Sequence, residues 1–235
     1  MTNQNQASSQ LVYMRSAGWL YLLIIVFGIT SEMLVRSPLI VFSDPVVTAG
    51  NIVRSEGLFR FGFLADSIML LCDVALAVIF YVLLKPVNKT LSLLAAAFRL
   101  TQAVILSVNL LLYYAALLLL NNEYHFSVFS NEQINALSLL LLEMHSHGYD
   151  LGLIFFSVAN FILGYLIIKS KFIPGVLGYG LLAVALAYLA GSYTRFLLPA
   201  YSDSIQPIYL VPFITELALC VWLLTKGIGK SKGSE

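Results

Sequence analysis

Six stretches of this chain are each apolar over the length a helix needs to cross a bilayer, and most of them carry an ionisable residue well inside. A hydrocarbon core of about 30 Å takes about 20 helical residues. The stretches run Gly18 to Ile40, Leu58 to Leu84, Leu91 to Leu120, Tyr149 to Ile168, Pro174 to Leu198 and Ile208 to Leu224. With 60% hydrophobic and 11% charged residues, the chain is far from the roughly 25% charged content of a soluble domain. The expected fold class is therefore all-α, a six-helix transmembrane bundle. It forms a single integral membrane domain over residues 1–235, with 1–14 and 227–235 as flexible cytoplasmic tails.

Short polar turns separate the spans, among them Lys85-Pro86-Val87-Asn88-Lys89 and Ser202-Asp203-Ser204-Ile205-Gln206-Pro207, both rich in helix stop and start residues. Basic residues set the orientation. Placing Arg15, Lys85, Lys89, Lys169, Lys171, Lys226, Lys230 and Lys232 on one side leaves Arg36, Arg54, Arg60 and Arg195 on the other, with Arg99 buried. The excess of positive charge on the cytoplasmic side then places both termini in the cytoplasm of a multi-pass cell-membrane protein. The first apolar run lacks a small-residue cleavage site and continues through Met33 and Leu34, so it reads as a retained helix. A net charge of +1 gives no basic excess for nucleic acid, which drops out as a partner. Cys72 and Cys220 both fall in apolar runs and read as small hydrophobes.

Two outer segments carry helix-start signals. Ser43-Asp44-Pro45 puts a capping residue and a proline ahead of Val46, Ala49, Ile52 and Val53, a pattern suited to a short interfacial helix in the first outer loop. Ser130 with Gln133 resembles a capping box, so the fourth helix is expected to open outside the bilayer and bend near Gly148. Ala183, Ala187 and Gly191, and Gly148 with Gly152, are spaced for close helix contact. Packing within the bundle is the plainer use of these residues; a face for a homo-oligomer is the other.

Helix rise turns sequence distance into depth. Asp73 lies about 18 Å in from Lys85, Arg99 about 15 Å in from Lys89, and Glu216 about 14 Å in from Pro207. All three reach one level. A lone charge there costs at least about 2.5 kcal/mol, so pairing or neutralisation is expected. Nearer the outer boundary come Glu32, Asp66, His147, Asp150 and Arg195, while Arg99, Gln102 and Asn109 make a polar stripe along the third helix. The simplest assembly is an outward-opening polar cavity floored by Asp73, Arg99 and Glu216. Its plain alternative is a set of ion pairs that fix helix packing.

Glu143, His147 and Asp150 form an i, i+4, i+7 stripe, and Asp66, His147 and Asp150 are the candidate metal ligands. A solvated helix face is the simpler reading. His145 points about 200° away from His147 on a regular helix, so a site using both imidazoles needs a break at Gly148. The tyrosines, with Trp19 and Trp222, suit interface belts. No phosphate loop, GxSxG elbow or HExxH helix is present in the sequence, and no cofactor is expected.

From Leu11 to Gly227 the chain resembles a bacterial membrane-protein family known as domain of unknown function family 4386. The likeness rests on Asn51-Ile52 with Glu56, on Arg60 and Asp66, on Cys72-Asp73-Val74-Ala75-Leu76-Ala77, on Leu84-Lys85-Pro86-Val87-Asn88 and on Phe98-Arg99-Leu100. It implies a shared fold of the six-helix type and assigns no functional residues. Function therefore rests on the buried charges: the acids Glu32, Asp66, Asp73, Asp150 and Glu216 outnumber the deep bases Arg99 and Arg195. That surplus points to a protein in the lipid bilayer that binds or moves a small solute or proton. An intramembrane metal-dependent hydrolase acting on lipid, and a sensory or scaffolding protein, are the alternatives.

Overall fold

The computed structural model describes residues 2–121 and 128–226. Among them every regular element is helical. Helix α1 (Thr2–Ile29) passes through a π-helical stretch (Thr30–Arg36) into the short α2 (Ser37–Leu39). Then come α3 (Pro45–Arg54), α4 (Glu56–Leu84), α5 (Lys89–Leu120), α6 (Asn131–Lys169) and α7 (Gly175–Leu197). The short α8 (Ser202–Ile205) sits between two 3-10 turns, Pro199–Tyr201 and Gln206–Tyr209, and α9 (Leu210–Lys226) follows. Six helical segments among the described residues are long and apolar enough to cross a membrane. Residues 2–14, expected as a flexible tail, continue α1 as helix, and the 227–235 tail lies outside the described residues.

The helix starts are set by local chemistry. Asp44 caps α3, its Oδ1 accepting from the amides of Val46 and Val47 at 3.0 Å each, with Pro45 in the first turn where its missing N–H costs nothing. Asn88 caps α5 through the amide of Leu91 at 2.9 Å. Ser130 and Gln133 form the reciprocal capping box of α6: the Ser130 amide donates to Gln133 Oε1 at 2.8 Å and the Gln133 amide to Ser130 Oγ at 3.3 Å. At 39 residues, α6 is about 58 Å long, so its first turns extend beyond an apolar core of about 30 Å and pack beside α3. It stays regular helix through Gly148, where a bend was expected.

The spans form a ring. Helix α1 packs on α4, α4 on α5, α5 on α6, α6 on α7, α7 on α9, and α9 returns to α1. Backbones approach closely at Gly164 and Gly178, where a Cβ on either would stand 2.7 or 2.6 Å from the other's carbonyl oxygen. At the closing seam the Cys220 thiol donates to the Gly18 carbonyl at 3.5 Å. Gly148, Gly152, Ala187 and Gly191 all face neighbours inside the bundle, whereas Ala183 is exposed.

Two apolar clusters fill the ring unevenly. One closes the end that carries Lys85, Lys89, Lys169 and Lys171, with Leu76, Leu84, Leu166, Ile167, Leu181 and Leu219 at its centre. The other, around Val35, Ile52, Phe59, Tyr113 and Leu142, packs α4, α5 and α6 together beneath α3. Between α1, α6, α7 and α9, toward the α3 end, the interior is left unfilled, and the polar residues collect there.

Candidate functional site

Asp73 on α4 and Arg99 on α5 meet in the bundle interior, each at most 4% exposed. Arg99 Nε donates to Asp73 Oδ1 at 2.9 Å and Nη2 donates to the same oxygen. The Gln102 amide, one turn along α5, oriented so that its nitrogen faces acceptors, donates to Asp73 Oδ2 at 2.6 Å and to the Arg99 carbonyl at 3.2 Å. The guanidinium lies over two rings, Phe156 at 4.8 Å and Tyr21 at 5.7 Å, the environment in which a desolvated cation gains most from an aromatic face. Glu216 of α9 faces the same space and accepts from the Tyr188 hydroxyl at 3.2 Å. The three residues expected as a floor thus share one cavity, but among the described residues Glu216 forms no ion pair.

Arg36 changes the outer cluster. Counted from the sequence among the outer-side basic residues, near the end of the first span, it is only 9% exposed. Its Nη1 donates to Asp66 Oδ2 at 2.5 Å and to Ser31 Oγ at 2.9 Å, and its Nε to Glu32 Oε2 at 2.8 Å. The ring of Tyr149 lies 5.9 Å from the guanidinium. The π-helical turns of Thr30–Arg36 carry Ser31, Glu32 and Arg36, a local widening often found at functional positions. Across the cavity Arg195 Nη1 donates to Asp150 Oδ2 at 2.6 Å and to Ser146 Oγ at 3.0 Å, with Ser192 Oγ 3.5 Å from Asp150 Oδ1.

The candidate metal ligands do not come together. Asp66 is held by Arg36, Asp150 by Arg195, and His147 is exposed, with Nδ1 2.9 Å from the Glu143 carbonyl and its ring beside Phe196. Among the described residues no three of His, Cys, Asp and Glu are grouped as a metal requires. The buried imidazole is His145. Asn109 Nδ2 donates to the His145 carbonyl at 2.8 Å and lies 3.1 Å from its Nδ1, and Gly148 makes room for this contact: a Cβ there would stand 2.0 Å from Asn109 Oδ1. Asn109 is therefore a clamp between α5 and α6 and lies outside the cavity lining.

Two adjoining cavities result. The larger, about 550 Å³, is lined by Glu32, Arg36, His145, Asp150, Arg195 and Gln206 among others; the smaller, about 230 Å³, reaches Asp73, Arg99, Gln102 and Glu216. They share Gly28, Tyr149, Leu153, Tyr188 and Tyr209 as walls. Of the expected residues, Asp66, Asn109 and His147 line neither cavity.

A family model described as Domain of unknown function (DUF4386) matches residues 16–227. The chain belongs to the DUF4386 family. It is also similar to an uncharacterized protein of Archaeoglobus fulgidus, 28% identical over 160 residues that cover 68% of this chain and 80% of the relative. No solved structure matches it.

In this DUF4386 chain the acids of the candidate site can be counted by partner. Asp66, Asp73 and Asp150 each hold one arginine, and Glu32, with a side chain 60% exposed, shares Arg36. Glu216 is left over. Sequence reasoning missed Arg36, whose one signal was its i+4 spacing from Glu32. It set His145 aside as pointing away from His147, and assigned to interface belts the tyrosines that form the cavity walls, Tyr21, Tyr149, Tyr188 and Tyr209.

Proposed function

We propose that this protein binds and translocates a small solute or proton through the polar cavity that opens toward the α3 end, outward in the orientation the lysines suggest. The observation that carries this reading is that two cavities adjoin across shared walls inside the bundle, with Glu216 lining the inner one. Adjoining voids that expose ionisable side chains at membrane depth run against the close packing of an ordinary bundle. The larger void falls within the size range of ordinary small-molecule sites. Glu216 is the carboxylate that the arginine pairs leave uncompensated, so a proton or a cationic solute at that position offsets a charge that is costly in the bilayer.

The test is flux in proteoliposomes. Vesicles containing the protein should dissipate an imposed pH gradient, or take up a cationic solute, faster than empty vesicles, and Glu216→Gln should remove that difference. Equal rates with and without protein for protons and for a panel of small cations would overturn the proposal.

A further inference from the structure

The smaller cavity has more character than a polar void. Its lining is aromatic on several sides: Tyr21, Phe156, Tyr188, Tyr209 and Phe213 all face it, with Glu216 among them. The rings form a connected set of tilted pairs, Phe156 and Tyr188 at 5.6 Å and 49°, Tyr188 and Tyr209 at 6.1 Å and 48°. Two of these faces already hold a delocalised cation, since Arg99 lies over Phe156 and Tyr21. Beside that internal cation the remaining rings and one unpaired carboxylate stand around empty volume.

Charge settles the sign of an occupant. Asp73, Arg99 and Glu216 bring two carboxylates and one guanidinium to the cavity, a surplus of one negative charge. An anion is disfavoured. A hard inorganic cation takes six or more oxygens at close range, whereas here Asp73 is engaged by Arg99 and Gln102 and most of the lining is aromatic or aliphatic side chain. Aromatic faces with one carboxylate match a diffuse organic cation. The rim supports a lipophilic one, because Ile29 of α1 and Phe213 of α9 line the cavity while remaining 37% and 48% exposed on the bundle surface. These apolar lips lie between the two helices that close the ring.

We propose that the smaller cavity binds a monovalent lipophilic organic cation, with its charge against Glu216 and its apolar body against Tyr21, Phe156, Tyr188, Tyr209 and Phe213. The proposal rests on the solute-binding reading above and names the chemical class of the solute. Protons compete for the same carboxylate. The groups facing Glu216 from the surrounding helices are Tyr21 on α1, Asp73 on α4, Arg99 on α5, Tyr149 on α6, Tyr188 on α7 and Tyr209 ahead of α9. Of these Asp73 and Arg99 are the charged groups, and that pair is closed on itself.

The experiment compares two probes of one shape and opposite charge, tetraphenylphosphonium and tetraphenylborate, by titration calorimetry on the purified full chain in detergent. Tetraphenylphosphonium should bind and tetraphenylborate should not, and acidification should weaken the binding. Glu216→Gln should weaken it by about tenfold or more, Glu216→Asp should retain most of it, and Tyr188→Ala should weaken it more than Tyr188→Phe. If Glu216→Gln does not fold, the probe pair and the acid dependence of the unaltered protein decide the matter. Equal binding of the two probes, or no binding of either, overturns the organic-cation assignment. In that case proton flux in proteoliposomes that is lost in Glu216→Gln leaves the translocation reading standing, and absence of both binding and flux removes both.

Discussion

Arg36 Nη1 stands 2.5 Å from Asp66 Oδ2, joining the π-helical end of α1 to α4 across 30 residues of sequence. The same guanidinium takes Glu32 by its Nε, but the two acids are unlike: the Asp66 side chain is 4% exposed and that of Glu32 60%. Removing the buried partner strands a charge, whereas removing the exposed one leaves it to solvent and headgroups. Asp66→Asn and Arg36→Gln should each destabilise the protein by about 3 kcal/mol or more, and Glu32→Gln by less than about 1 kcal/mol. Denaturant unfolding in detergent checks this. Equal losses for Asp66→Asn and Glu32→Gln would show that burial does not set the strength of the contact.

Asp73 and Arg99 should be coupled more tightly still, since both are buried and Gln102 completes the carboxylate's partners. The double variant Asp73→Asn with Arg99→Gln should be less unstable than the sum of the two single variants, by about 1 to 3 kcal/mol. An additive result would mean that the two residues do not interact.

Gly148→Ala should destabilise by about 1 to 3 kcal/mol through overpacking, because its Cβ would fall 2.0 Å from Asn109 Oδ1. Trimming the obstacle should relieve it. In an Asn109→Ala background the same glycine substitution should cost markedly less, and an unchanged cost would place the clash elsewhere.

His145 and His147 differ in a way that mutation can read. His147→Ala should lie within about 0.5 kcal/mol of the unaltered protein, as exposed substitutions do. His145→Ala, which removes a buried ring held by Asn109 and packed near Tyr113, should lose about 1 to 3 kcal/mol. The reverse order would mean that His147, not His145, is the imidazole that the bundle holds.

The orientation that the lysines suggest can be tested by labelling. Cysteines introduced at Asn88 and Ser170, at the lysine end, should react with an impermeant thiol reagent added from the cytoplasm, and one at Ser43, beside α3, only from the opposite side. The native Cys72 and Cys220 are buried and free, so they should stay silent. Cytoplasmic labelling at Ser43 would invert the topology.

The six spans, the interfacial helix α3 and the capping box of α6 were legible because each has a local cause: apolar length, an Asp-Pro start, a Ser and a Gln three apart. The Asp73–Arg99 pair was legible because depth is arithmetic on a helix. What stayed hidden depended on rotation and partners. Arg36 sits near the outer end of the first apolar run, and partners on other helices, Asp66 and the Tyr149 ring, draw it inward. The choice between His145 and His147 turns on which face of α6 meets Asn109, and Gly148 decides that by leaving room for an amide from α5. Tyrosine, with an apolar body and a polar tip, fits a headgroup belt and a cavity wall equally well. Sequence alone does not separate the two.

The seam between Gly18 of α1 and Cys220 of α9 joins segments 202 residues apart in the chain, the second made long after the first. Until α9 is inserted, α1 and α7 lack their shared neighbour, and the charged centre of α4 and α5 has no cover on that side. Such long-range closure is the slow part of assembly, since the distant segment must arrive before any of its contacts form. A ribosome stalled before α9 would leave the seam faces of α1 and α7 open to lipid, an unfinished surface by which membrane quality-control proteases can recognise the chain.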